Sequence, residues 1–468
     1  MTDSALDRTV SRSCSLFDLP AAQFDLASLD QLAQAMALAT LPASRTPSGY
    51  VYLGQFIGHD LSLLDSSQAA VTNVSDVRQL RAPALNLENV YGQGFDDPAL
   101  AVDRDTGYLE LGRTLTESGE QGSFDDLPRH ENSIAHIPDD RDEENLLIGQ
   151  LHVVFIKLHN FFCTRLNERM RLDAEQCFYA ARRQLILHYQ EVVLYDFLRA
   201  VIDSHTWNSV VEHQELVLWD SRCGSPARMP VEFAAAAFRF GHSMVRQHYS
   251  LNHRLPMVSL PTLFGMTAHG RIGRTQRALS QSHVVDWRLF FPIEAKRDPR
   301  FMNFAMRIDP AVSIKAPPDG SALSAKTFRT GVRCLLPNAQ SIVARLHDQH
   351  ADLAIDPLTA EELSPEIHVI EKSSVRKAGL LELSSRSFES NTPLAYYLLA
   401  EAHARRDGLQ LGPLGSRIVA EVLWGLTSAS NPSVLHEKRN DRFIRATGYT
   451  SNSGPTYLRM SDLLGSIA

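Results

Sequence analysis

Three short segments of the sequence carry side chains that could perform acid–base chemistry or bind a metal ion. Gln55 and His59 stand four residues apart in the first segment. Arg141 lies in an acidic run in the second, and His242 lies in a stretch rich in Ala and Phe in the third. A neutral imidazole can act as a general base or as a metal ligand. A guanidinium keeps its charge, so it can stabilise negative charge that develops during a reaction.

Each segment taken alone also has an ordinary structural explanation. A histidine beside an aspartate, as in His59 and Asp60, is more often a surface or capping pair than a catalyst. The acidic run around Arg141 is typical of a solvated helix start, because carboxylates favour that end of the helix dipole. His242 would usually be a buried, hydrogen-bonded core residue. Hydrophobic periodicity alone therefore does not assign a function to any of the three segments.

The elements that must position these side chains are predicted to be mostly helices. Apolar residues between Leu147 and Phe162 recur at steps of three and four, which predicts an amphipathic helix over 143–170. Thr392 and Pro393 predict a helix start, with the threonine as cap. Alternating strand patterns are scarce, and the stretches 70–140 and 253–320 lack strong periodicity. Further helices are predicted over 29–41, 174–201, 230–247, 324–335, 338–347, 392–405 and 415–426.

Composition and charge exclude several classes of protein. The hydrophobic share of 44% and the charged share of 21% are those of a globular protein, and a net charge of −8 argues against a nucleic-acid partner. The start of the chain lacks the pattern of a secretory signal, and no uninterrupted apolar run is long enough to predict a transmembrane segment. The five cysteines are scattered and odd in number, which predicts reduced thiols in a cytoplasmic protein.

Together and in this order, the three segments resemble the animal-type haem peroxidase superfamily, particularly its bacterial members. The resemblance covers residues 46–430 in colinear order. Seven further segments support it: Leu87–Gly92, Asp126–Arg129, Gln150–His152, Asp286–Phe291, Leu336–Pro337, Leu411–Pro413 and Arg417–Glu421.

The resemblance implies a mainly α fold, with long loops and little β structure, in which one large helical domain surrounds a haem. We place this haem peroxidase domain at residues 46–435, after an N-terminal extension (1–45) and before a C-terminal tail (436–468). A length of 468 residues alone would favour two to four domains, and the resemblance overrides that expectation.

The resemblance also assigns roles to the residues of the three segments. His242 would be the axial ligand of the haem iron, leaving the other iron face open to hydrogen peroxide. On that face His59 would act first as a general base and then as a general acid, and Arg141 would stabilise the charge that develops as the peroxide bond breaks. Gln55 would hydrogen-bond a water or a small anion. The implied activity is that of a peroxidase, which passes through a ferryl state and oxidises an organic or halide reductant.

Other residues would hold the haem itself. Arg239 aligns with an arginine that pairs with a haem propionate, although an intrahelical ion pair is the alternative. Glu144 matches one of two carboxylates that form ester bonds to the haem, whereas Gly58 stands at the position of the other. Asn145 replaces a methionine that forms a sulfonium link in one branch. The implied cofactor is haem b with at most one ester link, through Glu144.

The predicted surroundings of the proximal histidine and of a calcium site depart from the family. Thr327 stands where the family has an asparagine partner of that histidine, and Thr330 stands where it has an arginine; Arg329 or Arg333 could replace the arginine. Among the calcium ligands, Asp60, Asn86 and Glu88 could still coordinate the ion, whereas Ala82 has lost its oxygen. His152 and His159 could bind a metal by their spacing, but packing in the core is favoured.

Several alternatives remain open at this point. The departures at Gly58, Thr327 and Thr330 favour a haem enzyme specialised for one oxidative tailoring step of secondary metabolism. A fatty-acid dioxygenase of the cyclooxygenase type needs a tyrosine three residues before the proximal histidine, and Arg239 occupies that position. A non-catalytic haem-binding module would not need the distal base and arginine. A helical protein without haem is the remaining possibility.

Overall fold

The structure of the chain is a computed structural model. It describes residues 11–38, 43–224, 227–267, 278–293, 301–312, 314, 321–371, 374–437 and 457–467. Most of the C-terminal tail defined from the sequence, and the last residues of the helix predicted over 29–41, lie outside these ranges.

Long helices form the framework of the described chain, in agreement with the predicted mainly α fold class. They are Leu26–Leu38, Gly49–Leu61, Leu146–Asn167, Ala174–Val192, Leu323–Arg333, Ala339–Gln349, Leu394–Arg406 and Pro413–Ala429. Shorter helices are Glu88–Tyr91, Leu198–Val201, Ser204–Trp207, Ser221–Gly224, Val231–Ala235, Gly241–Met244, Leu260–Gly265, Ala360–Leu363 and Met460–Ser466.

The strands are short and form only small sheets. Ser11–Cys14 pairs antiparallel with Arg78–Gln79 and parallel with Met229–Pro230. The other pairs are all antiparallel: Ala43–Pro47 with Phe304–Met306, Gly112–Leu115 with Gln121–Asp126, His248–Tyr249 with Val258–Ser259, and Glu366–Glu371 with Ser374–Gly379. None of these strands was predicted individually from the sequence, in which alternating patterns are scarce.

The helix Leu146–Asn167, here called the His152 helix, crosses the centre of the core. The side chain of Asn145 accepts a hydrogen bond from the backbone N–H of Ile148 at 3.1 Å and so caps its first turn. Its apolar positions, including Leu151, Phe155 and Phe162, are buried as the periodicity predicts. By length and composition this helix could cross a membrane, but 83% of its most apolar window is buried inside the protein. Such burial identifies a core helix.

The helix Gly49–Leu61, here called the His59 helix, packs against the His152 helix. Phe56 stacks on Phe155 with ring centroids 4.4 Å apart. At the first residue, a side chain on Gly49 would collide with the ring of Phe291 and the carbonyl of Phe290, so only glycine lets the two segments approach this closely. These contacts hold the His59 helix firmly in place.

The single helix predicted over 230–247 is wrong. The chain forms the helix Val231–Ala235, then a 3₁₀ turn at Ala237–Arg239, and then the short helix Gly241–Met244. The break lies at Ala236, whose φ of −137° and ψ of −70° fall outside the helical region. No proline marks this position, so tertiary packing rather than local propensity interrupts the helix.

Most other helix predictions agree with the structure to within a few residues, with one error at a cap. The predicted helix over 392–405 begins at Leu394, and Pro393 rather than Thr392 occupies the cap position. The hydroxyl of Thr392 instead donates to the carbonyl of Phe388, in the preceding turn. The helix predicted over 174–201 is extended by a π turn at Val193–Phe197.

The N-terminal segment is tied to the core. Cys14 and Cys223 form a disulfide across a sequence separation of 209 residues, whereas Cys163, Cys177 and Cys334 are free and buried. The prediction that all five cysteines are reduced is therefore wrong, because pairing of Ser11–Cys14 with Met229–Pro230 brings distant cysteines together. Disulfides are typical of oxidising compartments. The cysteines therefore no longer support the predicted cytoplasmic location.

Candidate functional site

His59 is paired with a buried carboxylate. Its Nδ1 lies 2.7 Å from Oδ1 of Asp142, and the exposed fractions of the two side chains are 10% and 0%. An ionised carboxylate can only accept a hydrogen bond, so the Nδ1 of His59 carries the proton. The lone pair is then on Nε2, which lies 4.0 Å from Oε1 of Glu144. This arrangement provides an unprotonated nitrogen on the side of His59 away from Asp142.

Asp142 accepts hydrogen bonds from two further side chains. Its second oxygen lies 2.7 Å from Nδ1 of His152 and accepts from the side-chain amide of Asn89 at 2.9 Å. Burial alone would raise the pKa of this carboxyl, but the hydrogen bonds and charges of His152 and His59 outweigh that effect and hold the pKa below its usual value. Asp142 therefore remains an anionic acceptor at the centre of three donors.

Asp142 was not among the predicted site residues, because an acidic run such as 139–144 is typical of a solvated helix start. Residues Asp140–Glu143 form a 3₁₀ turn, and the preceding Asp139 caps it by accepting from the backbone N–H of Arg141 at 3.1 Å. The turn directs Asp142 into the core. One feature of the sequence could have indicated Asp142: two histidines expected in the core, His59 and His152, each need a hydrogen-bond acceptor.

Gln55 and Glu144 lie beside His59. The side-chain amide of Gln55 donates to Oε1 of Glu144, and Gln55 and His59 share one face of their helix, four residues apart. The Glu144 side chain is 38% exposed. The structure thus brings together Gln55, His59 and Glu144, as their predicted roles require.

Arg141 is adjacent to His59 but points to backbone acceptors. Its guanidinium donates to the carbonyls of His59 and Ser62 at 2.8 Å each, and to both oxygens of Asp139 at 3.0 and 2.7 Å. Arg141 therefore holds the end of the His59 helix. Its positive charge lies near His59. All of its described hydrogen bonds, however, go to acceptors within the protein.

The residues predicted to bind calcium do not fit that ion. Both carboxylate oxygens of Glu88 are engaged, one by Arg81 at 3.1 Å and the other by the backbone N–H of Ala82 at 3.0 Å. One oxygen of Asp60 accepts from the backbone N–H of Glu88 at 2.7 Å. Calcium takes six to eight oxygen ligands, and the side chains leave only the second oxygen of Asp60 and the amide oxygen of Asn86.

Arg81 supplies the positive charge at this place instead. It is 4% exposed and also pairs with Asp139 at 2.6 Å, so one guanidinium bridges two carboxylates. Among the residues that the structure describes, no group of three or more His, Cys, Asp or Glu side chains could hold a metal ion.

His242 is held from one side by a hydroxyl. Its Nδ1 lies 3.3 Å from Oγ1 of Thr327, and that hydroxyl donates to the carbonyl of Leu323 at 3.2 Å. Because the hydroxyl proton is used there, Thr327 accepts from Nδ1–H and leaves Nε2 of His242 with its lone pair. Burial and, to a lesser extent, the charge of Arg239 lower the pKa of His242 to about 3. The imidazole is therefore neutral near pH 7.

Arg239 is a partly buried cation, and no ion pair to it is found within the described part of the chain. Its Nε donates to the carbonyl of Ala234 at 3.0 Å, so the alternative of an intrahelical ion pair is not what the structure shows. Burial lowers the pKa of this guanidinium. A partly buried cation of this kind is stabilised by an anion, and an external carboxylate would provide one.

The side chains that could have replaced the missing arginine at Thr330 lie elsewhere. Arg329 pairs with Asp30 at 2.6 Å, and Arg333 donates to the carbonyl of Asp65 at 3.3 Å. The hydroxyl of Thr330 donates within its own helix, to Lys326 at 2.8 Å. Arg239 is therefore the cation that lies beside His242.

The segment bearing His242 packs directly against the His59 helix. A Cβ added at Gly58 would lie 3.8 Å from the ring of Phe238. A small cavity of about 20 Å³ lies beside His242, and Met36 of the N-terminal segment contributes to its wall. A larger groove of about 920 Å³ contains none of the predicted site residues. Neither cavity outlines the candidate site, so the site is identified by the side chains that could bind a cofactor or move a proton.

The other two predicted core histidines lie in the interior. His152 binds Asp142, and His159 lies between the hydroxyl of Tyr91 at 2.9 Å and the carbonyl of Gly107 at 3.0 Å. Burial lowers the pKa of His159 to about 4. Neither forms part of a metal cluster among the described residues.

The chain is similar to known proteins in part of its sequence and in its fold. The sequence model of the family described as animal haem peroxidase matches residues 85–263, a segment that contains Arg141, Asp142, Glu144 and His242. No curated protein sequence matches the chain significantly.

Solved structures show the same fold. Peroxidase A from Dictyostelium discoideum is 13% identical, with a TM-score of 0.54, over 90% of this chain and 86% of that chain. A fatty acid alpha-dioxygenase variant from Oryza sativa, solved with palmitic acid, is 15% identical, with a TM-score of 0.59, over 88% and 74% of the two chains. The Arabidopsis thaliana fatty acid alpha-dioxygenase is 12% identical, with a TM-score of 0.58, over 97% and 76%. The mainly α fold class is confirmed, and the family model supports the resemblance to the animal haem peroxidases over residues 85–263.

Proposed function

We propose that the chain is a haem-dependent peroxidase, because the sequence model of the animal haem peroxidase family matches residues 85–263. It would reduce hydrogen peroxide and oxidise an organic or halide reductant. The observation that carries this proposal is the state of His59. Its Nδ1 proton is engaged by Asp142 at 2.7 Å, and its Nε2 lies 4.0 Å from Oε1 of Glu144. We keep residues 46–435 as the proposed extent of the domain.

The residues present fit a haem by the chemistry of their donors. His242 is neutral and offers Nε2 to the iron, because Thr327 engages its other nitrogen. Arg239 is a partly buried cation that would pair with a propionate. Glu144 stands on the His59 side, where it would supply the single ester link of a haem b. When bound, the haem supplies an iron that takes two oxidising equivalents from peroxide and passes them to the reductant.

The protein would move one proton during this reaction. His59 accepts a proton at Nε2 from the peroxide oxygen nearer the iron and returns it to the far oxygen, which leaves as water. Gln55 keeps its amide oxygen free while its N–H₂ group binds Glu144, so it can orient the incoming peroxide. Arg141 contributes its positive charge close to His59, through its bond to the His59 carbonyl.

A second candidate is a haem enzyme of this fold specialised for one oxidative tailoring step. The hydrogen bonds of Arg141 to Asp139 and to two backbone carbonyls favour it, because they occupy N–H groups of the guanidinium that could otherwise bind peroxide. This candidate predicts slow oxidation of generic phenols and tight binding of one specific organic substrate.

The proposed function is tested with haem-loaded protein. The wild type should show a Soret band and oxidise a phenol with hydrogen peroxide, and His59→Ala should slow this oxidation on the order of 10²- to 10⁴-fold. His242→Ala should lose the haem, whereas the exposed His347→Ala is the matched control and should match the wild type. Equal inertness of the wild type and His59→Ala would rule out a peroxidase.

The cofactor is tested by extracting the haem with acidic organic solvent. Wild-type protein treated with peroxide should retain haem covalently, and Glu144→Gln should release all of it. A second covalent link would contradict the expectation from Gly58, which has no carboxylate.

A further inference from the structure

We propose that Asp142 is the positioning residue of the peroxide site: it forces His59 into the tautomer protonated at Nδ1 and so keeps Nε2 available as the base. This inference rests on the proposed function and goes beyond it, because it assigns the control of the base to a residue outside the set that the family resemblance implies.

The first step is the pattern of donors around the carboxylate. Oδ1 of Asp142 faces His59 at 2.7 Å, and Oδ2 faces both His152 at 2.7 Å and Asn89 at 2.9 Å. The carboxylate is fully buried and has no proton to donate. Each histidine must therefore place its own proton on Nδ1. The single charge of Asp142 sets the tautomers of two histidines at once.

The second step concerns what an amide would do at the same place. Asp142→Asn keeps the shape but has one accepting oxygen and one donating N–H₂ group. If that oxygen takes the Oδ2 position, the hydrogen bonds from His152 and Asn89 both survive. If it takes the Oδ1 position, only the bond from His59 survives. The first orientation retains two hydrogen bonds and the second retains one, so the first is favoured.

The consequence falls on His59. In the favoured orientation the N–H₂ group of the new asparagine points at Nδ1 of His59, which must then accept. The proton of the imidazole moves to Nε2, and the nitrogen that faces the peroxide loses its lone pair. Asp142→Asn should therefore disable the base while leaving His59, His152 and Asn89 in place. A merely structural role for Asp142 does not predict this selective effect.

The decisive measurement compares two iron ligands. Hydrogen cyanide must give up its proton to a base in order to bind as cyanide, whereas carbon monoxide has no proton to lose. With haem-loaded full-length protein, Asp142→Asn should slow cyanide association on the order of 10²-fold, close to the effect of His59→Ala. Carbon monoxide association should stay at the wild-type rate. Asp140→Asn is the matched control, because it removes an exposed carboxylate from the same turn, and it should change neither rate.

The tautomer is observed directly by ¹⁵N NMR of the full-length chain labelled at histidine. Wild-type His59, assigned by the loss of its signals in His59→Gln, should be protonated at Nδ1, and in Asp142→Asn it should be protonated at Nε2. Wild-type cyanide kinetics in Asp142→Asn, or an Nε2-protonated His59 in the wild type, would overturn the inference. The wild-type spectrum decides the question even if Asp142→Asn does not fold.

The two proposals fail in different ways. If the wild type binds no haem, the proposed function is wrong, whereas the NMR spectrum still reports whether Asp142 sets the tautomer of His59. If haem binds and phenol is oxidised but Asp142→Asn behaves as the wild type, only the role of Asp142 is wrong.

Discussion

The hydroxyl of Thr327 lies 3.3 Å from Nδ1 of His242, and this oxygen is the hydrogen-bond acceptor of that imidazole. A threonine offers a neutral acceptor on a short side chain, and its own proton is used by the carbonyl of Leu323. Thr327 therefore orients the imidazole of His242 without removing the proton from its Nδ1. Partners of this kind tune the basicity of a metal-binding histidine, so Thr327 should influence how tightly His242 would hold the iron of the proposed haem.

Replacing Thr327 by valine should weaken haem binding. The variant keeps the shape of the side chain but leaves Nδ1–H of His242 without its acceptor, and loss of such a partner costs about 10- to 100-fold in metal affinity. The rate of haem transfer to a competing apo-globin measures the effect. Thr330→Val is the matched control, because its hydroxyl bonds only within the same helix. Equal transfer rates in the two variants would contradict the role given to Thr327.

Arg81, and not calcium, should stabilise the region around Glu88 and Asp139. Adding calcium or a chelator should leave the midpoint of thermal unfolding unchanged. Arg81→Leu should lower the free energy of unfolding by about 1 to 3 kcal/mol, because Glu88 loses its cation and Asp139 keeps only Arg141. Arg78→Leu removes an exposed arginine from the same strand region and should have little effect. A rise in the midpoint with calcium would show that the ion binds after all.

Breaking the disulfide should destabilise the folded protein. The bond between Cys14 and Cys223 closes a loop across 209 residues, and its removal should cost about 2 to 5 kcal/mol by freeing the unfolded chain. Urea unfolding with and without a reductant measures this cost in the wild type. In the double variant Cys14→Ser, Cys223→Ser the reductant should have no effect. If a reductant does not change the unfolding free energy of the wild type, the disulfide is absent.

Glu401 should make stability fall as pH rises. Its buried carboxyl accepts from the backbone N–H groups of Leu414 and Gly415, and burial raises its pKa from 4.5 to about 7. The folded state therefore holds a proton that the unfolded state releases between pH 4.5 and 7. The stabilisation is complete below pH 4.5 and is lost as pH rises through about 7.

Urea unfolding of the wild type and of Glu401→Gln across this interval measures the contribution. The difference in unfolding free energy, wild type minus variant, should decrease with pH by at most about 1.4 kcal/mol per unit. Other buried carboxyls titrate in both proteins and cancel in the difference. Parallel curves would contradict the raised pKa of Glu401.

The sequence by itself determined the mainly α framework and the order of the candidate residues. Helices such as Leu146–Asn167 follow from periodicity and from caps such as Asn145, which act over a few residues. The resemblance found along 46–430 likewise rests on short segments in order. It pointed to Gln55, His59, Arg141 and His242 before any distance was measured.

Only the tertiary structure decided how these residues are connected. The three donors that meet at Asp142, the break at Ala236 and the disulfide between Cys14 and Cys223 all depend on segments far apart in the chain. So does the ion pair of Arg81 with Asp139, which lies 58 residues further along the chain. Local patterns report which side chains are present, whereas burial and long-range contact decide which of them meet.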